Sequence, residues 1–235
     1  MAYSGRMRHE DQKELWEQEH RTPTALKQMD SSDASNSVQK FWQFLVDGEF
    51  PHASGIEMGC GKGRNLIWLA ERGVSMSGFD FSDVAITEAK RRAAKVEGAS
   101  FQVADATVRW PFDKDYFDFG IDCFASTDIE SPEGRAFAIA EMRRVLKPGG
   151  LLMTYVSSTD DEYHKQMIQK FPSGERNTFL QPTGKFEKVY DEEELAHLFT
   201  DWEIVRKERI AKTTDFFGKG YDCNHFWLVL KKPVS

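Results

Sequence analysis

Three alternating glycines and a set of well-spaced carboxylates are the residues best placed to do chemistry in this 235-residue chain. The stretch Ala53-Ser-Gly-Ile-Glu-Met-Gly-Cys-Gly-Lys-Gly63 carries Gly59, Gly61 and Gly63, with Glu57 just ahead of them. Glycines at this spacing let a backbone pass close to a ligand, in dihedrals that a side chain forbids. Ile56 to Met58 fit a short buried strand, and Asn65, Leu66, Leu69 and Ala70 recur at helical spacing beyond the turn. A strand, a glycine turn and a helix N-terminus together make a nucleotide-sized cradle. Cys60, inside the turn, reads as a small filler rather than a nucleophile.

Two further carboxylates fall at the ends of the following strands. Asp80, in Gly78-Phe79-Asp80-Phe81-Ser82, lies 21 residues after Gly59 (80 − 59), where its oxygens can accept hydrogen bonds from ribose hydroxyls. Asp105, in Ala104-Asp105-Ala106, closes the next strand. A dinucleotide fingerprint, G-x-G-x-x-G, needs glycine at position 64, where Arg64 stands.

The elements that must hold these residues follow from periodicity. Val38, Phe41, Trp42, Leu45 and Val46 give an amphipathic helix ending at Gly48. Strands are expected at Val74–Phe79, Ala99–Val103 and Tyr116–Phe124, and helices at about 64–72, capped by Gly73, and at 83–96, capped by Ser82. Ser131-Pro132-Glu133 opens a helix that stops at Lys147-Pro148-Gly149-Gly150, ahead of a fifth strand from Leu151. Asp191-Glu-Glu-Glu194 starts another helix, and Trp202–Arg209 and Asn224–Lys231 read as two closing strands. The segment from Ser157 to Val189 shows no clear period. The N-terminal 36 residues are polar, with Leu15 and Trp16 in a charged helical pattern that stops near Thr22-Pro23, and a short helix is expected over Thr24–Met29.

The ordered set Glu57-x-Gly59-x-Gly61-x-Gly63, Asp80, Asp105, Phe117-Asp118 and Leu146-Lys-Pro-Gly-Gly150 resembles the class I S-adenosylmethionine-dependent methyltransferases. Gly61-Lys-Gly-Arg-Asn65 and the Trp16…Thr22-Pro23 lead-in are similar to the small-molecule, tellurite- and thiopurine-type branch. The resemblance implies an α/β fold: a Rossmann-like seven-stranded sheet with helices on both faces, strands six and seven forming an antiparallel pair. It implies S-adenosylmethionine as cofactor and S-adenosylhomocysteine as product. In that family the glycine turn approaches the methionine part of the cofactor, and the acid at the strand end orients the loop. Its motif III acid, here Asp105, contacts the adenine amino group. The cofactor-binding set implied is Glu57, Gly59, Cys60, Gly61, Gly63, Asn65, Asp80, Phe81, Asp105, Ala106, Asp122 and Trp16. Residues 1–36 are expected as an arm or lid and 37–235 as the methyltransferase domain, with an acceptor cap inserted at about 157–190. Tyr163, His164, Phe171, Arg176, Phe179 and Phe186 are available to line that cap.

The expected chemistry is transfer of the sulfonium methyl to an O, N or S nucleophile of a small molecule. Base or acceptor-binding candidates are His20, His164, His225, Asp122, Asp128 and Tyr155, of which Asp122 and Tyr155 rank first because they stand at strand ends. Where amino-group methyltransferases of bases and glutamine carry Asn/Asp-Pro-Pro-Tyr, this chain has Cys123-Phe124-Ala125. Two other readings compete: a Rossmann-type NAD(P)-dependent oxidoreductase, and a cofactor-binding module without catalysis. Net charge −7 and pI about 5.5 argue against a nucleic-acid partner, which needs clustered Lys and Arg. No apolar run approaches a membrane span, no signal-peptide pattern begins the chain, and Cys60, Cys123 and Cys223 have no metal-ligand spacing. A soluble cytoplasmic protein is expected.

Overall fold

The computed structural model describes residues 9–22, 30–216 and 218–234; the helix expected over Thr24–Met29 lies outside them. The centre is a seven-stranded sheet in the order β3-β2-β1-β4-β5-β9-β8. Its parallel part consists of β1 (Ser54–Met58), β2 (Ser75–Asp80), β3 (Ala99–Val103), β4 (Phe117–Cys123) and β5 (Leu146–Ser157). The closing pair is β8 (Glu203–Phe216) and β9 (Lys219–Lys231), antiparallel to each other, with β9 running antiparallel to β5. The strand order reverses between β1 and β4, so a crevice opens at their carboxyl ends.

Side chains alternate across the sheet to two apolar layers. On β9, Phe226, Leu228 and Leu230 join Ile139, Met142 and Val145 of α5 (Pro132–Val145) and Leu195 of α7 (Glu192–Leu198). Trp227 and Val229 join Val38, Phe41 and Leu45 of α2 (Asn36–Asp47) and Leu66 and Leu69 of α3 (Arg64–Ala70) on the other face. Burial on both faces explains why this strand reads as a continuous apolar run. The helix starts match their caps. Ser82 Oγ accepts from Ala85 N–H at the head of α4 (Asp83–Arg92), Ser131 Oγ from Gly134 N–H at α5, and Asp191 closes a capping box at α7.

Three expectations are corrected. The segment from Ser157 to Val189 is ordered, with α6 (Glu162–Lys170) and a short hairpin of β6 (Thr178–Leu180) and β7 (Phe186–Lys188). Strands of three residues are too short to show a period. Leu146 already pairs with Phe117, so the fifth strand begins before Pro148-Gly-Gly. The last two strands extend past their apolar stretches into a hairpin whose polar residues Lys212 to Asp215 pair with 220–223.

The arm is helical as α1 (His9–Arg21), and it docks by long-range polar contacts. The Gln12 amide donates to Gly184 O at 3.1 Å and accepts from Phe186 N–H at 2.8 Å. Lys185 pairs with Glu19 at 3.1 Å and its ammonium lies 4.3 Å over the Trp16 ring. Lys13 pairs with Asp83 at the head of α4. Thus α1 bridges the β6–β7 hairpin to the sheet. Among the described residues no helix is long and apolar enough to cross a membrane.

Candidate functional site

The turn after β1 is built as its sequence requires. Gly59, Gly61 and Gly63 take φ values of +61°, +52° and +81°, in the left-handed region. A Cβ on Gly59 would stand 2.4 Å from Ala125 Cβ, so glycine there lets the turn lie against the loop that follows β4. Gly63 packs on Phe101 and Ala89 and does not face the cavity. Asp80 ties the turn to β2: Oδ2 accepts Gly61 N–H and Oδ1 accepts Ser82 N–H, both at 2.9 Å. Asn65 clamps the base of the turn by donating to Glu57 Oε1 at 2.7 Å and accepting Ser35 N–H at 2.8 Å. Burial pushes the Glu57 carboxyl up to about 7 and that of Asp80 up to about 6.

Asp105 and Phe81 meet the first turn of α1. His9 Nε2 stands 3.2 Å from Asp105 Oδ2 and its Nδ1 3.2 Å from Glu130 Oε2, with the ring 5.6 Å from that of Phe81. Hydrogen bonds to Asp105 and then Glu130 raise His9 to about 10. Burial pushes Asp105 upward, but His9 and the Thr107 N–H and hydroxyl outweigh it and bring the carboxyl down to about 2. Farther along α1, Trp16 Nε1 and His20 Nδ1 are buried with no hydrogen-bond partner among the described residues.

One cavity of ≈ 290 Å³ joins these groups. That is close to the lower limit of about 300 Å³ for small-molecule sites, as expected with α1 lying across it. Of the residues expected to bind cofactor, Glu57, Gly59, Cys60, Gly61, Asn65, Asp80, Phe81, Asp105, Ala106 and Trp16 line it; Gly63 and Asp122 do not. A second, more open depression between α1 and α4 holds Lys62 and His20 but none of the carboxylates of the motif.

The two residues ranked first as catalytic do not reach the cavity. Asp122 is fully buried; Oδ1 accepts Ser126 N–H at 3.0 Å and Oδ2 the Ser126 hydroxyl at 2.5 Å, so it caps the turn after β4. Burial raises its carboxyl to about 6. Tyr155 packs against Phe124 and His225, and burial drives its hydroxyl well above its usual range. His20, Asp128 and His225 do line the cavity. His164 lies behind its wall, fully buried between Asp161 (2.6 Å) and Glu187 (3.3 Å). Burial alone lowers it, but the bonds to Asp161 and Glu187 prevail and raise it to about 9. None of the six residues named for the cap reaches the cavity; Phe179 and Phe186 are core and Phe171 is exposed.

The sequence reading missed His9, Glu187, Lys212, Thr214 and Phe216, all of which line the cavity. Glu187 sits in a strand of three residues and the last three in the polar hairpin extension, where no period marked a buried side. His9 begins a helical pattern, which was the available signal.

Residues 56–150 match a family described as a methyltransferase domain. The chain is similar to the demethylmenaquinone methyltransferase of Clavibacter sepedonicus, 33% identical over 44% of this chain and 41% of that one. It spans 36% and 41% of the length of the first two curated relatives it matches. Among solved structures, a Methanosarcina mazei protein described as a SAM-dependent methyltransferase is 26% identical, with a TM-score of 0.69 over 81% of this chain and 98% of that one. The 1,6-didemethyltoxoflavin-N1-methyltransferase of Burkholderia thailandensis, solved with that compound and S-adenosylhomocysteine, shares the fold with a TM-score of 0.70 at 14% identity, over 98% of this chain and 92% of that one. Residues 56–150 thus carry a methyltransferase domain, and the chain shares the Rossmann-like fold of the solved S-adenosylmethionine-dependent methyltransferases.

Proposed function

We propose that the protein transfers the methyl group of S-adenosylmethionine to an O, N or S nucleophile of a small molecule. One observation carries this reading: Glu57, the Gly59–Gly61 turn, Asp80 and Asp105 come from three parallel strand ends and converge on one cavity. The site fits the cofactor's chemistry. Asp80 is a buried carboxylate suited to ribose hydroxyls, and Asp105 is a half-buried carboxylate able to accept from an adenine amino group. Trp16 Nε1, His20 Nδ1 and Glu57 Oε2 are buried polar atoms with no hydrogen-bond partner among the described residues.

When bound, S-adenosylmethionine supplies an already activated sulfonium methyl. The chain's work is then positioning and exclusion of water. Asn65 and Asp80 fix the glycine turn, Asp122 fixes the loop after β4 through Ser126, and α1 with the β6–β7 hairpin covers the site. We take residues 1–36, of which α1 is the described helix, as a lid and about 157–190 as the acceptor cap. A roof resting directly on the cavity supports a small acceptor, and the Trp16 lead-in with Gly61-Lys-Gly-Arg-Asn65 supports the tellurite- and thiopurine-like branch.

The test is turnover: the protein is incubated with S-adenosylmethionine and a small-molecule library, and S-adenosylhomocysteine is measured. Acceptor-dependent product is expected. Cofactor binding without product from any class of O, N or S nucleophile would favour a non-catalytic module.

A further inference from the structure

His225 is the polar side chain of the cavity with the most unmet bonding capacity. It is 3% exposed, lines the cavity, and among the described residues neither ring nitrogen has a hydrogen-bond partner. A buried imidazole with two empty positions is costly unless something fills them. Its place in the fold is specific. On β9 it pairs with Ser157 of β5 on one side and Ile210 of β8 on the other. Its ring lies 5.4 Å from Phe124 and 5.1 Å from Tyr155. Phe124 precedes Ala125, the residue against which Gly59 is packed, so Phe124 stands between the glycine turn and His225.

We propose that His225 binds the acceptor and takes its proton, and that the acceptor is a planar aromatic molecule bearing an O–H or a ring N–H. The inference rests on the methyltransferase reading above and names the acceptor class of that same site. Phe124 offers an aromatic face beside His225, and Ser157, its partner on β5, offers a hydroxyl; Thr214 and Phe216 line the same cavity farther along β8. Glu187 and Lys212 lie in the same lining with opposite charges, and burial and then Glu187 raise the Asp128 carboxyl beside them, favouring its neutral form, so the wall selects for no strong net charge on the acceptor.

Burial, with Lys212 and His164 adding to it, pushes His225 down to about 4. At neutral pH the ring therefore has one N–H donor and one free lone pair. A base this weak suffices. As the acceptor oxygen or nitrogen forms its new bond to methyl, the sulfur–methyl bond breaks and its electron pair stays on sulfur. The acceptor's hydrogen becomes strongly acidic in the same step and passes as a proton to the His225 lone pair. Asp161 and Glu187 lie near enough to favour the imidazolium so formed.

The test uses the full chain loaded with S-adenosylhomocysteine, titrated in a calorimeter with 8-hydroxyquinoline, 7-hydroxy-4-methylcoumarin and benzimidazole, with benzoate and benzylammonium as charged controls. The wild type is expected to bind at least one neutral probe in preference to both controls, and to methylate it when S-adenosylmethionine is supplied. His225→Phe keeps the ring between Phe124 and Tyr155 but removes both nitrogens. Probe affinity is expected to fall about ten-fold or more, while S-adenosylhomocysteine affinity stays within about two-fold and the melting temperature is unchanged or higher. His225→Gln, which bonds but accepts no proton, is expected to keep probe binding and lose about a hundred-fold in turnover; it also stands in if the Phe variant does not fold. Absence of neutral-probe binding, equal binding by His225→Phe, or wild-type turnover by His225→Gln overturns the proposal. Failure of the wild type to bind S-adenosylhomocysteine at all is a different result, and removes the reading beneath it.

Discussion

His9 Nε2 stands 3.2 Å from Asp105 Oδ2, so the first residue of α1 rests on the carboxylate that closes β3. This contact makes the arm part of the site rather than an appendage. The same imidazole reaches Glu130 at 3.2 Å, and Gln12 and Glu19, farther along the same broad face of the helix, hold it to the β6–β7 hairpin. Removing residues 1–21 is therefore expected to abolish transfer and to weaken S-adenosylhomocysteine binding about ten-fold or more, while circular dichroism still reports the sheet. Full turnover in the truncated protein would show that the arm is dispensable.

The histidines and buried acids predict how stability depends on pH. His9 and His164 have folded values of about 10 and 9, above the usual 6.5, so their contribution is complete below 6.5 and is lost as pH rises through 9 to 10. Glu57 carries a burial penalty above its folded value of about 7, which is relieved on acidification. His20 and His225 act the other way: burial holds both near 4, so stability falls as pH drops from 6.5 toward 4. Asp80 and Asp122, which burial raises to about 6, gain on acidification as Glu57 does, so melting temperature of the ligand-free protein is expected to rise from pH 9.5 to about 6.5 and then level off. A maximum above pH 8 would contradict these assignments.

Two glycine substitutions separate strain from close approach. Gly59→Ala meets both a left-handed φ of +61° and Ala125 Cβ at 2.4 Å, whereas Gly73→Ala meets only φ +88° with nothing within 4 Å. The second is expected to cost about 1–2 kcal/mol of stability with cofactor affinity unchanged. The first is expected to cost more and to reduce S-adenosylhomocysteine affinity by at least about ten-fold, because the loop after β4 must move. Equal affinities in the two variants would remove Gly59 from the site.

Asn65 offers a test of the scaffold beneath the turn. Asn65→Ala removes the donor to Glu57 Oε1 and the acceptor of Ser35 N–H, so the buried Glu57 carboxyl loses its side-chain partner. A loss of about 2–4 kcal/mol in chemical denaturation is expected. A change below about 0.5 kcal/mol would mean that water replaces the amide without cost.

Much of this was legible in the chain because local chemistry and global fold agree. Ser82, Ser131-Pro132 and Asp191 mark helix starts that the structure uses, and the glycine turn with Asp80 and Asp105 comes together as its spacing implies. Strand ends are readable, but which way the last side chain points is not. Asp122 stands at a strand end yet turns back to cap Ser126, while His225, at the head of an apolar run, faces the cavity. The roof was least legible, since Gln12 meets Gly184 and Phe186 across more than 170 residues of chain and no local pattern encodes such a pairing.

The most direct test of the account is calorimetry of the purified chain with S-adenosylhomocysteine and, separately, with NAD. S-adenosylhomocysteine is expected to bind, and Asp80→Ala, which removes a carboxylate able to take two hydroxyl hydrogen bonds, is expected to lower the affinity about ten-fold or more without unfolding the protein. NAD is expected to give no heat of binding. Tight NAD binding with no response to S-adenosylhomocysteine, or an unchanged dissociation constant in a folded Asp80→Ala protein, would contradict the assignment.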